Sequence, residues 1–153
     1  MISALDKNNL QIIKAASRFN VSVQTIPNFY DTKLYKDIEK KYIKGNNDRY
    51  LWENFRYPSS IRLNNGWSFI KYLVKNDKFY MFFNKADDEN AVLIPSGEHL
   101  DLILEETYNF EFYITDMDFN YIVCYNHHDC LIYSGNVTDW LNNVRNAKEH
   151  KLK

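Results

Sequence analysis

A chain of 153 residues, 45% of them hydrophobic, has the size of one domain around one core, and it holds no apolar run near the ~20 residues that a membrane-spanning helix needs. Its formal net charge of -1 hides three blocks: residues 1–85 carry +8, residues 86–139 carry -12 with no Lys or Arg, and residues 140–153 carry +3. Such a division points either to a charged binding face or to pairing inside the fold, and it does not fit a globally basic nucleic-acid-binding domain.

The N-terminal half reads as mostly helical. Leu5, Ile12, Ala16 and Phe19 recur at helical spacing and predict a helix over 6–19. Val21-Ser22-Val23 alternates briefly before Pro27 and Asn28 break the chain. A second helix is expected over 31–44, capped by Asp31, with Leu34, Tyr35, Ile38 and Tyr42 inward, Lys36, Lys40 and Lys44 on another face, and Gly45 as a left-handed stop. Tyr50, Leu51, Trp52 and Phe55 form a short apolar turn or helix closed by Pro58. A third helix is predicted over 64–74, capped by Asn64 or Asn65, with Trp67, Ile70, Leu73 and Val74 on one face.

From Phe79 the pattern turns to strands. Phe79–Phe83 is a short aromatic run of the kind buried on both faces, and Ala91–Ile94 is a second strand ended by Pro95. A helix over 97–107, with Ser96 as N-cap, interrupts them. Strands at 110–115, 121–125 and 131–133 follow as a meander, the first alternating Phe110, Phe112, Ile114 against Glu111, Tyr113, Thr115. Asn136 then opens a helix with Val137, Trp140, Leu141 and Val144 on its apolar stripe. The expected architecture is a single α+β domain over 1–153: a helical N-terminal half, an antiparallel sheet of about five strands in 78–134 with one inserted helix, and a C-terminal helix.

Chemistry is sparse. No phosphate-binding loop, dinucleotide fingerprint or nucleophile elbow occurs, and Asp116-Met117-Asp118 lacks the glycine and distal Glu of a calcium loop, so a tight turn is expected there. Asn126-His127-His128-Asp129, with Cys124 and Cys130 beside it, is the one cluster of metal-type ligands. Paired ligand spacings are missing, and only a three-residue turn would put both cysteines on one face, so Asn126 and Asp129 are expected to bond the turn backbone instead. Two cysteines fit reduced thiols, and Met1-Ile2-Ser3 leads into polar residues without a leader-like apolar stretch, so a cytoplasmic location is expected. Arg49, Tyr50, Trp52, Arg56, Tyr57 and Arg62 mix basic and aromatic residues, but the spacing of Leu51, Trp52 and Phe55 is that of core residues.

The acidic helix is more informative. Glu98, Asp101 and Glu105 stack along one face with Glu106 beside them, a like-charge column that needs compensation. Either the Lys-rich helix at 31–44 neutralises it internally, or the face awaits a cationic partner.

Glu111-Phe112-Tyr113-Ile114-Thr115-Asp116, Tyr121–Tyr125, Asn126-His127-His128-Asp129, Leu131-Ile132, Gly135 and Trp140-Leu141 together resemble an uncharacterised family of small bacterial cytoplasmic proteins, itself similar to immunity-type proteins of polymorphic-toxin loci. The resemblance implies an immunity role and a turn at 126–129 that matters, and it carries no catalytic residue. The expected function is therefore a non-catalytic cytoplasmic protein without a cofactor that binds a basic protein partner, such as a toxin domain, and neither membrane nor nucleic acid. The expected contact residues are Asp87, Asp88, Glu89, Glu98, Asp101, Glu105, Glu106, Asp116 and Asp118, extended by Glu111, with Tyr108 or Tyr113 as aromatic anchor. The alternatives are a metal-dependent enzyme using His127, His128 and Asp129, with His99, or an adaptor whose charges pair internally.

Overall fold

Strands whose side chains are apolar on both faces must be covered twice, and the chain does so with helices on each side of one sheet. The computed structural model describes residues 1–45 and 49–152. In chain order the elements are α1 (Asn8–Ser17), β1 (Gln24–Ile26), α2 (Lys33–Tyr42), β2 (Ser59–Arg62), α3 (Lys71–Val74), β3 (Phe79–Phe82), β4 (Ala91–Ile94), α4 (Leu100–Glu105), β5 (Phe112–Asp116), β6 (Tyr121–Tyr125), β7 (Cys130–Gly135) and α5 (Thr138–Leu152). Short 3-10 turns occupy Phe29–Asp31, Leu51–Asn54 and Gly66–Phe69. No helix among the described residues is long and apolar enough to cross a membrane.

The sheet has seven antiparallel strands in the order β1-β4-β3-β5-β6-β7-β2. The five expected strands form its centre. The two additional ones come from the N-terminal half: β1 pairs with β4 and β2 with β7, each at an edge. Gln24–Ile26 and Ser59–Arg62 are short, and none of their residues is fully buried. An edge strand of this kind needs little apolar alternation, which is why the pattern did not reveal them.

One face carries Met81, Val92, Ile114, Val123 and Leu131, packed against Ile12 of α1, Val74 of α3, Leu100 of α4 and Trp140 of α5. The other carries Phe82, Tyr113, Ile122 and Ile132, packed against Phe29, Ile38 of α2 and Phe55. Phe82 stacks on Tyr113 with centroids 5.1 Å apart and meets Phe29 at 4.8 Å.

Several helix boundaries move for local reasons. The expected helix at 6–19 begins at Asn8, and Leu5 lies outside it, 95% exposed. It ends where left-handed Asn20 lets the Val21 N–H reach the Ala16 carbonyl, 3.0 Å. For α2 the cap is Thr32, whose Oγ1 accepts from the Tyr35 N–H at 3.2 Å, and Asp31 belongs to the preceding 3-10 turn. The predicted 64–74 helix divides into the Gly66–Phe69 turn and the four-residue α3. Ser96 does not cap α4, which starts at Leu100; its hydroxyl accepts from the Glu98 N–H instead.

Gly97 sits against α3. A Cβ there would lie 2.1 Å from Val74 Cγ2 and 2.7 Å from the Lys75 carbonyl oxygen, so only glycine permits the approach. Gly97→Ala is expected to lower unfolding free energy by about 1–3 kcal/mol, as overpacking does. Ser96→Ala should stay within about 0.5 kcal/mol, and urea denaturation of both variants tests the pair.

Candidate functional site

The strand register sorts the connections between two ends of the sheet. Phe79 lies opposite Asp116 and opposite Ile94, while Phe82 lies opposite Tyr113 and Phe112 opposite Tyr125. The β3–β4 loop, the α4–β5 connection and the β6–β7 hairpin therefore meet at one end. The β5–β6 turn and the entry to α4 lie at the other.

At the first end the hairpin is built around Asn126. Tyr125 pairs with Leu131, and the Asn126 N–H donates to the Cys130 carbonyl at 3.0 Å, leaving a three-residue loop with Asp129 in the left-handed region at φ 58°. The buried Asn126 Oδ1 accepts from the N–H groups of His128 (2.9 Å) and Cys130 (3.1 Å), the role expected of it. Asp129 uses its carboxylate differently, accepting from the Tyr125 hydroxyl at 2.7 Å. Burial, and then this bond, hold the Tyr125 phenol above the ordinary tyrosine value, so it remains a donor.

A buried polar network anchors the hairpin. Glu111 is 7% exposed; its Oε1 accepts from the His127 N–H at 3.0 Å and faces the His127 ring Nδ1, while its Oε2 accepts from Asn84 Nδ2 at 2.6 Å. Asn84 Oδ1 accepts from the Tyr113 hydroxyl at 2.5 Å and from the Leu51 N–H at 3.1 Å, and the Tyr113 oxygen accepts from the Trp52 N–H at 3.1 Å. A carboxylate taken out of water is tolerated only with such donors. The network joins β5, the β3–β4 loop, the hairpin and the Leu51–Asn54 turn. Beside it, Tyr50 stacks on Trp52 (5.7 Å), lies 5.1 Å from the His127 ring and carries the Arg49 guanidinium at 5.4 Å. Tyr50 and Trp52 are thus packed against the hairpin histidines, with Arg49 over the Tyr50 ring.

Between the hairpin, the Gly66–Phe69 turn and the α4–β5 connection lies a cleft of about 350 Å³. Trp67, Leu104, Phe110, Phe112 and Tyr125 supply its apolar lining, and Glu105, Glu111, Asp129 and His127 its ionisable groups, with no Lys or Arg among the described residues that line it. The motif at 126–129 marked part of this site in the sequence. Asn65 and Trp67 were legible only as a helix cap and an apolar stripe, and Asn84 not at all, because the fold brings them to the site from distant segments.

The metal alternative is not assembled: among the described residues no group of three or more His, Cys, Asp or Glu converges on a common point. His127 turns to Glu111, Asp129 to Tyr125, His128 packs on Trp52, and His99 stacks on Phe19. The three-residue turn does put Cys124 and Cys130 on one face. Burial pushes the Cys124 thiol up, and Cys130 Sγ makes a weak contact to the His128 carbonyl.

The expected partner residues do not form one surface. Tyr113 is fully buried, because the face of β5 opposite Phe112 and Ile114 is covered by the α2 layer rather than by solvent. Asp88 is buried too, its Oδ2 accepting from the N–H and Nδ2 of Asn9, both at 2.8 Å, where it caps the start of α1 from another segment. Asp101 pairs with Lys71 at 2.7 Å, and Glu106 pairs with Arg18. Among the described residues, Glu98 and Glu105 form no ion pair. Asp87, Glu89 and Asp118 are exposed, Asp116 holds its own turn through Asn120, and Tyr108 is 52% exposed. Glu98, Asp116 and Asp118 stand at the opposite end of the sheet from Asp87, Glu89, Glu105 and Glu106.

Residues 10–145 match the family described as "Family of unknown function (DUF6756)". The chain belongs to this family. No curated protein and no solved structure gave a match. In this DUF6756 chain the matched range takes in the hairpin, the Glu111 network and every residue of the cleft.

Glu111→Ala strands the Asn84 amide and the His127 N–H, and it should lower stability by at least about 1–3 kcal/mol in a denaturation curve. Thiol labelling provides a second check: in the native protein Cys130 reacts with an aromatic disulfide reagent, and Cys124 reacts only after unfolding.

Proposed function

We propose that this protein is a non-catalytic binding protein for a basic protein partner, engaged at the cleft end of the sheet, and that it serves as an immunity protein by covering a cationic toxin domain. The observation that supports this reading is the Glu105 carboxylate, exposed and without an ion pair among the described residues, which lines one cleft with the carboxylates of Glu111 and Asp129 and with no Lys or Arg among the described lining residues. Clefts lined by one sign of charge concentrate their field and favour partners of the other sign. The neighbouring Tyr50, Trp52 and His128 rings are the kind of rigid contact on which interfaces depend. Arg49 and Lys85 border a separate groove with Glu39 and Glu89 on the α2 side. The proposed surface is accordingly narrower than the acidic block of the sequence and centres on Glu105.

The test uses the product of the neighbouring gene, where that product is a basic protein, as partner. Binding should weaken as salt rises and fall about tenfold or more with Glu105→Lys, the scale of one interfacial charge reversal, whereas Glu98→Lys at the far end of the sheet leaves it nearly unchanged. Equal effects of the two reversals, or affinity indifferent to salt, would sink the proposal.

A further inference from the structure

The cleft has the shape and chemistry of a pocket rather than of a charged surface alone. Its volume of about 350 Å³ accommodates one long side chain or a small molecule with water. Its acidic groups are the Glu105, Glu111 and Asp129 carboxylates, and Asn65, Thr107 and Asn109 add neutral side chains that both donate and accept. The Tyr125 hydroxyl is committed to Asp129, and the Asn126 Oδ1 to the turn. The His127 ring nitrogen Nδ1 faces the Glu111 carboxylate, an acceptor, so Nδ1 donates in that contact. An anionic ligand would meet Glu105, Glu111 and Asp129 with no Lys or Arg among the described lining residues to offset them.

The walls narrow the choice among cations. Phe110 and Phe112 meet edge to face at 6.4 Å, and Phe112 lies 5.9 Å from Tyr125, with Trp67 on the side of the 3-10 turn. Aromatic faces attract a planar, weakly hydrated cation, and a carboxylate such as Glu105 offers it paired hydrogen bonds. A compact ammonium keeps its hydration more strongly and uses neither feature as well. The buried Glu111 network holds the His127 side in place before any ligand arrives, which limits the ordering required on binding.

We infer that the cleft is a recognition pocket for a guanidinium group, supplied either by an arginine side chain of the basic partner or by a free small guanidinium compound. The arginine source rests on the reading proposed above; the pocket chemistry does not.

The experiment titrates the full chain with acetyl-arginine amide, its uncharged isostere acetyl-citrulline amide, and methylguanidinium, following the Trp67 indole and His127 ring signals by NMR. Saturable binding of the arginine amide is expected, at least about tenfold tighter than the citrulline amide and weakened about tenfold by Glu105→Gln, with Asp118→Asn unchanged. Absence of saturation, equal binding of the citrulline amide, or indifference to Glu105→Gln overturns the pocket. Displacement of the basic partner by the arginine amide assigns the pocket to a partner arginine; tight methylguanidinium binding without displacement assigns it to a free compound. If the amide binds while the partner ignores Glu105→Lys, the pocket stands and the partner proposal falls; the reverse result leaves the partner surface and removes the pocket.

Discussion

Covering both faces of a seven-stranded antiparallel sheet is the constraint from which the remaining geometry follows. With Phe82, Tyr113 and Ile122 pointing one way and Met81, Ile114 and Val123 the other, a single layer of helices would leave one set in water. Each such buried side chain contributes roughly 1.5–3 kcal/mol relative to exposure, so both layers are obligatory. The N-terminal half is divided accordingly: α1 and α3 cover one face, α2 and two 3-10 turns the other. Because the layers lie on opposite sides of the sheet, elements adjacent in sequence, such as α1 and α2, end up separated by its thickness.

That separation decides the fate of the charges. The Lys-rich α2 cannot neutralise the acidic α4, since they cover different faces. Compensation comes from Lys71 and Arg18, which share the α4 layer. These are partly or largely exposed pairs of the kind that contribute about 0–1 kcal/mol, enough to relieve repulsion along a short helix but not to organise the fold. Among the described residues Glu105 forms no ion pair; it borders the cleft on one side and shares a groove with Lys14 and Arg18 on the other, so paired and unpaired carboxylates coexist on one six-residue helix.

The buried polar network around Glu111 is the counterpart of this at the strand ends. Four segments distant in sequence converge where the strands stop and backbone groups would otherwise lack partners, and Asn84 and Tyr113 pass hydrogen bonds between them. The low polarity of the surroundings makes a complete network stiff and an incomplete one unfavourable. Its consequence for the site is that His127, although half exposed, is held by a buried group rather than by the loop it belongs to.

What the sequence determined by itself was the set of locally encoded features: the five central strands, the apolar stripes of α2 and α5, the turn at 126–129 with Asn126 bonding its backbone, and the lopsided division of charge. Each rests on periodicity or turn chemistry within a few residues. Edge strands β1 and β2 were not legible, since three or four half-exposed residues pair only because a neighbouring strand is already in place. The alternation in β5 placed Glu111 and Tyr113 on the face opposite Phe112 and Ile114, but not whether that face met solvent. Only the tertiary structure decided that it is buried, that the acidic block is split between two ends of the sheet, and that the net charge of -1 conceals both internal ion pairs and carboxylates gathered in a cleft. The physical reason is that side-chain burial and ion pairing depend on which segments the sheet order brings together, and that order is set by long-range contacts rather than by local pattern.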